Sequence, residues 1–156
     1  MKAISSAVVS AALAIGMAAP ASAAQGGPET ILYRVPGVVD SGEAANIGVA
    51  TVFACTNFSG VTENVRFVTR HVDGSLVSNF ATTVDHLATL VASTHFVHAM
   101  GSNNLAAGFV FGGTTAIAAT SINIICTALI IDAASSLPHG VALRAIRFNP
   151  VPGSQE

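Results

Sequence analysis

The residues whose chemistry reaches beyond packing are five histidines, two cysteines and a handful of arginines. The histidines are His71, His86, His95, His98 and His139. His95 and His98 stand three apart, a spacing that sends them to opposite faces of a strand, so one metal ion could meet both only across a bulge. No H-E-x-x-H, C-x-x-C or paired-carboxylate cluster accompanies them. The reading is scattered surface or half-buried histidines, with a metal site assembled from separate loops as the alternative. Serine, histidine and aspartate all occur, but no spacing pairs them and no G-x-S-x-G elbow is present. Gly112-Gly113-Thr114-Thr115 lacks the lysine of a phosphate loop. One tyrosine and no tryptophan argue against an aromatic sugar-binding platform. No catalytic residue, metal ligand or cofactor is expected.

Cys55 and Cys126 are the only cysteines. In an exported chain two cysteines are most simply one disulfide, the alternative being two free buried thiols. Export is read from the first residues. Lys2 supplies a positive end, Ala7 to Ala19 is a mostly apolar run, and Ala21-Ser22-Ala23 is a small-x-small cleavage site. This is the layout of a signal peptide over residues 1–23, leaving a mature chain that starts near Ala24.

Charge excludes one class of partner. Lys2 is the only lysine, and the mature cations are Arg34, Arg66, Arg70, Arg144 and Arg147 against eight acids. No basic footprint for nucleic acid exists. Arg66 and Arg70 share a strand face, and in a sandwich Arg144 is expected near them on the same sheet, as a shallow anion contact or simply a solvated face. The stretch from Ala99 to Ile131 carries no formal charge, but its cleanest apolar part, Ala116 to Ile131, is shorter than a membrane span and rich in β-branched residues. No transmembrane segment is expected in the mature chain.

The elements that must position these residues read as strands. Thr30 to Val39 alternates but is interrupted by Pro36-Gly37, which suits an edge strand. Ile47 to Thr56 places Ile47, Val49, Phe53 and Cys55 on one face and Gly48, Ala50, Val52 and Ala54 on the other. Glu63 to His71 sends Val65 and Phe67 one way, Arg66 and Arg70 the other. Asp73-Gly74 is a hairpin signal, and Leu76 to Thr83 returns antiparallel. Leu90 to Val97 follows, with a short helix over Val84 to Ala92 as the alternative. Met100 to Gly113 is a long loop. Thr114 to Asp132 carries the second cysteine strand, preceded by a short strand at Thr115 to Ala119, and Val141 to Phe148 is the last. Arg144 and Arg147 fall on opposite faces there, which points to a bulge or an early strand end.

About seven to nine short strands with turn signals between them give an all-β chain, a single antiparallel β-sandwich. The domain plan is 24–46 as tail and edge strand, 47–148 as sandwich core and 149–156 as C-terminal tail. The Cys55 strand, the Val65–Phe67 strand, the Asp73-Gly74 hairpin and the Cys126 strand resemble the immunoglobulin-like sandwich domains of small exported bacterial proteins. That resemblance implies an inter-sheet disulfide. The core tryptophan of true immunoglobulin domains is absent, and Ile124 stands where a tyrosine would precede the second cysteine.

With Cys126 facing the core, Ile125, Leu129 and Ile131 face out, and a strand apolar on both sides needs a cover. The expected cover is the protein's own Met100 to Gly113 segment, through Phe109 and Phe111. A second copy or an extracellular protein partner is the other possibility. The functional reading is a secreted, non-catalytic binding or assembly module at the bacterial cell exterior. The alternatives are a fimbrial or filament subunit, with Thr30 to Val39 as a donor strand, and an enzyme with a loop-built site.

Overall fold

The computed structural model describes residues 27–137 and 139–148; the signal peptide expected over 1–23 and the tail expected over 149–156 lie outside them. Ten strands and no helix occur among the described residues: β1 (Thr30–Asp40), β2 (Val49–Asn57), β3 (Glu63–Arg70), β4 (Leu76–Val84), β5 (Thr89–Ser93), β6 (Asn103–Asn104), β7 (Val110–Ala119), β8 (Ile124–Asp132), β9 (Gly140–Leu143) and β10 (Ile146–Arg147). They form two five-stranded sheets, β10-β1-β7-β3-β4 and β6-β5-β2-β8-β9. All pairings are antiparallel except the two-residue β5–β6 pair. No helix among these residues is long and apolar enough to cross a membrane.

The period-two pattern decides which side chains meet. Val35, Val65, Phe67 and Ile117 from the first sheet interlock with Phe53, Cys55, Leu90 and Ile124 from the second in one continuous core. Phe53 and Phe67 meet across the gap with ring centroids 5.6 Å apart. The sheets are also joined by polar ties. Tyr33 Oη donates to Ile124 O at 3.2 Å, and Thr51 Oγ1 donates to Val39 O and accepts from Val39 N–H at 2.8 and 2.9 Å.

Several expectations are corrected. The disulfide between Cys55 and Cys126 exists, but it does not cross between sheets. The two cysteines are direct cross-strand partners on β2 and β8, with Cα atoms 4.1 Å apart. Both side chains point into the core from neighbouring antiparallel strands, at the close spacing of a non-hydrogen-bonded pair. The immunoglobulin-like arrangement of a bond linking the two sheets is therefore replaced by a staple within one sheet.

β1, expected as an edge strand, lies between β10 and β7 and buries Leu32, Tyr33, Val35 and Val38. Pro36-Gly37 is absorbed as a register shift, with Gly37 at φ +79°. The short strand expected at Thr115 to Ala119 is the end of β7, in the first sheet, and the cysteine strand is β8, in the second, with Thr120 to Asn123 crossing between them. The last strand divides in the same way: β9 ends at Leu143 in the second sheet and β10 resumes at Ile146 in the first. Arg144 opens that crossing and Arg147 lies beyond it on β10.

Candidate functional site

The expected site residues do not come together. Arg66 lies on the outer face of β3, where Nε and Nη2 donate to the two carboxylate oxygens of Glu29 at 2.5 and 3.2 Å and Nη1 donates to Asn79 Oδ1 at 3.0 Å. The hydrogen bond and the charge of Glu29 raise the Arg66 pKa above its ordinary value. A guanidinium so occupied has little left for an external anion. Arg70 spends Nη1 on Gly74 O in the hairpin. Arg144 follows β9 in the other sheet, and the strand it leads to, β10, is separated from β3 by β1 and β7. The expected cluster of Arg66, Arg70 and Arg144 on one sheet is not formed.

The outer face of the second sheet is covered in part, by Met100 from the expected segment but not by Phe109 or Phe111. Ile131 is 2% exposed, in a small second cluster with Ala50, Val52, Val97 and Ala133; Met100 and Leu129 pack against it. The cover is the turn after β5. Phe109 and Phe111 are 64% and 72% exposed and stand at the start of β7, in the other sheet. Ile125 stands near the start of β8, at the opposite end of the sandwich, and is 52% exposed.

One histidine has a structural partner that spacing could not reveal. His95 Nδ1 lies 2.9 Å from Asp40 Oδ2, and Nε2 lies 2.9 Å from Ile47 O. Both groups are buried, at 7% and 1% exposure. Asp40 Oδ1 accepts the Gly42 N–H at 2.7 Å. Each ring nitrogen thus faces an acceptor, and neither is free to take a proton from a substrate. Elsewhere His86 Nδ1 accepts the Gly60 N–H at 3.0 Å. Among the described residues no group of three or more His, Cys, Asp or Glu is placed to hold a metal ion.

What the fold does leave available is an edge. Three of the four edge strands are short: β10 and β6 have two residues each and β9 has four. Beyond β10, the rim of β1 is blunted by Pro36, which has no N–H, and by Val39, whose N–H and C=O are both taken by Thr51. β4 differs. It runs nine residues, LVSNFATTV, with no charge, proline or glycine. It pairs with β3 on one side only.

The register identifies which backbone groups are open. The N–H of Asn64 on β3 donates to Thr120 Oγ1 at 3.0 Å, and its C=O accepts the Thr120 N–H at 3.2 Å, so both groups point toward β7. Its partner on β4, Thr83, therefore meets it at a non-hydrogen-bonded position and aims its own N–H and C=O away from the sheet. By alternation Ala81 and Asn79 do the same. Among the described residues nothing from the backbone bonds to these three. Their side chains are exposed, while Phe80 packs inward against the core. The sequence carried a signal for this edge: an uncharged, proline-free strand after a hairpin.

No family model matches the chain, and no curated protein or solved structure shows significant similarity to it.

Proposed function

We propose that the chain is a secreted, non-catalytic β-sandwich that serves as a binding or assembly module at the bacterial cell exterior, working through backbone pairing along β4. The observation that carries this reading is the nine-residue uncharged rim of β4 beside three blunted edges. Long, unprotected edges are templates for strand addition, and folds that do not use them shield them. The occupied ring nitrogens of His95 and the Glu29-bound guanidinium of Arg66 support the same reading, because each is already committed to partners within the chain. Export is supported by the leader-like first residues and by the single disulfide.

The test is made in a bacterial host with the full chain. A photocrosslinking residue at Ala81 should yield adducts heavier than the monomer in the exported fraction. The same residue at Val72, which is 81% exposed but lies off the rim, should yield none. Mass spectrometry of the exported chain should show a start near Ala24. A chain that keeps Met1, or Ala81 that captures nothing, overturns the proposal.

A further inference from the structure

We propose that the strand filling the β4 rim is the β4 of a second copy of the chain, paired antiparallel about a two-fold axis at Ala81. This rests on the reading of β4 as the working edge and names its occupant. An isologous two-fold contact requires a surface complementary to itself. For an edge strand that means a segment whose reversed copy presents compatible side chains at every position.

β4 meets that requirement when centred on Ala81. The smallest side chain of the strand then faces its own copy on the axis. Asn79 stands opposite the partner's Thr83, an amide facing a hydroxyl on the solvent side of the sheet. Phe80 stands opposite the partner's Thr82 on the core side. The three residues whose N–H and C=O point off the sheet, Asn79, Ala81 and Thr83, become the hydrogen-bonded positions of the new ladder. That gives roughly six backbone bonds, two for each such pair.

Electrostatics agree. The strand holds no charge, so self-pairing sets no like charges opposite one another within it. At each end the register places Val77 opposite the partner's Asp85, and the β3 neighbour at that end is Arg70, paired with Leu76. Opposite charges therefore share each end of the contact. Five strands from each copy would form one continuous sheet, and both β4 edges would disappear inside it.

The test uses the purified mature chain with its disulfide intact, in sedimentation velocity across a concentration series. A monomer–dimer equilibrium is expected. Ala81→Pro removes an N–H that bonds nothing among the described residues, so the fold should survive while dimer affinity falls at least about tenfold. Ala81→Glu sets its carboxylate beside Arg66, its β3 partner, in the monomer, but sets two carboxylates against each other on the axis, and should also abolish the dimer. Thermal melts check that each variant folds; if Ala81→Pro does not, Ala81→Glu carries the test. A chain monomeric at every concentration, or a dimer indifferent to both substitutions, overturns the inference. Photocrosslinking at Ala81 in the bacterial host separates the two levels. A monomeric chain whose Ala81 captures a different protein refutes the second copy and leaves the working edge intact, whereas one that captures nothing removes both.

Discussion

At one end of the sandwich Asp40 is buried against His95; at the other Glu63 is buried to the same 1% exposure with only a hydroxyl for company, that of Thr120. The first carboxylate has a donor on each oxygen, and its histidine reaches on to Ile47 O. The end of β1, the following loop and the turn after β5 are thereby tied at one point. The second carboxylate leaves Oε1 with no hydrogen-bond partner among the described residues. Its end is held by neutral groups. Asn57 Nδ2 donates to Val61 O and Val84 O at 2.7 and 2.9 Å, and its Oδ1 accepts the Ser59 N–H at 2.8 Å. The disulfide sits two residues away, at Cys55. One end therefore depends on a buried carboxylate–imidazole contact and the other on amide bonds and a covalent staple. Removing the imidazole leaves the Asp40 carboxylate without its side-chain partner in a dry place, whereas Glu63 already has one oxygen without a partner among the described residues.

The largest effect should come from the staple. Replacing Cys55 and Cys126 together by alanine frees a loop closed over a sequence separation of 71. The chain-entropy account puts that at about 4 kcal/mol, felt mainly through the unfolded state. Urea unfolding measures it, and a loss below about 1 kcal/mol would show that the amide network alone holds that end. Next is His95→Ala, which strands Asp40 and removes the donor to Ile47 O; a loss of about 3 kcal/mol at neutral pH is expected. Asp40→Asn sharpens the point. The asparagine carbonyl still accepts from Gly42, and its amide donates to a neutral imidazole whose other nitrogen donates to Ile47 O. Its loss should be near 1 kcal/mol. If Asp40→Asn costs as much as His95→Ala, a stranded carboxylate is not what sets the cost at that end.

Glu63→Gln reverses the sign. It keeps an acceptor for Thr120 and removes a buried carboxylate that has no cation beside it. Stability at neutral pH should stay level or rise by up to about 1 kcal/mol. A loss beyond about 2 kcal/mol would mean that Oε1 has a partner of its own, and that the two ends are more alike than their side chains suggest.

Local pattern carried much of the fold. The alternation in β2 and β3, the Asp73-Gly74 hairpin and the all-β class all follow from neighbouring residues. Long-range choices did not. Asp40 and His95 are 55 residues apart, and only the closed fold brings them to 2.9 Å. That Cys55 and Cys126 are cross-strand neighbours depends on which strand lies beside β2, a question that period-two reading leaves open. The apolar run from β7 to β8 hides a change of sheet, because apolar side chains stand on both faces of these strands and leave no polar alternation to mark the break. The β4 rim is the opposite case. Its composition is plain in the sequence, but its openness is a property of sheet order.

The smallest effect concerns a third carboxylate, Asp73, which extends the comparison into water. It lies in the hairpin that delivers β4, at the same end as Asp40. The Ser75 hydroxyl donates to Asp73 Oδ1 at 2.7 Å, and the Ser75 backbone N–H donates to the same oxygen at 2.9 Å. These two bonds, the hydroxyl first, hold the Asp73 carboxyl below its ordinary value, with a lesser contribution from the charge of His71. Because the folded-state pKa is the lowered one, the turn is favoured above the ordinary carboxylate range, and that advantage fades as pH falls through the folded value. Asp73 is fully exposed, so solvent screening keeps the effect local and global unfolding should barely register it. An NMR titration of the Asp73 side chain would read it directly. Ser75→Ala should move the midpoint upward, toward an unperturbed carboxylate, by removing the hydroxyl and leaving the backbone bond. A midpoint that stays put would assign the shift to the backbone alone. One that moves down would contradict the hydrogen-bond account altogether, since deleting a donor can only disfavour the anion it served.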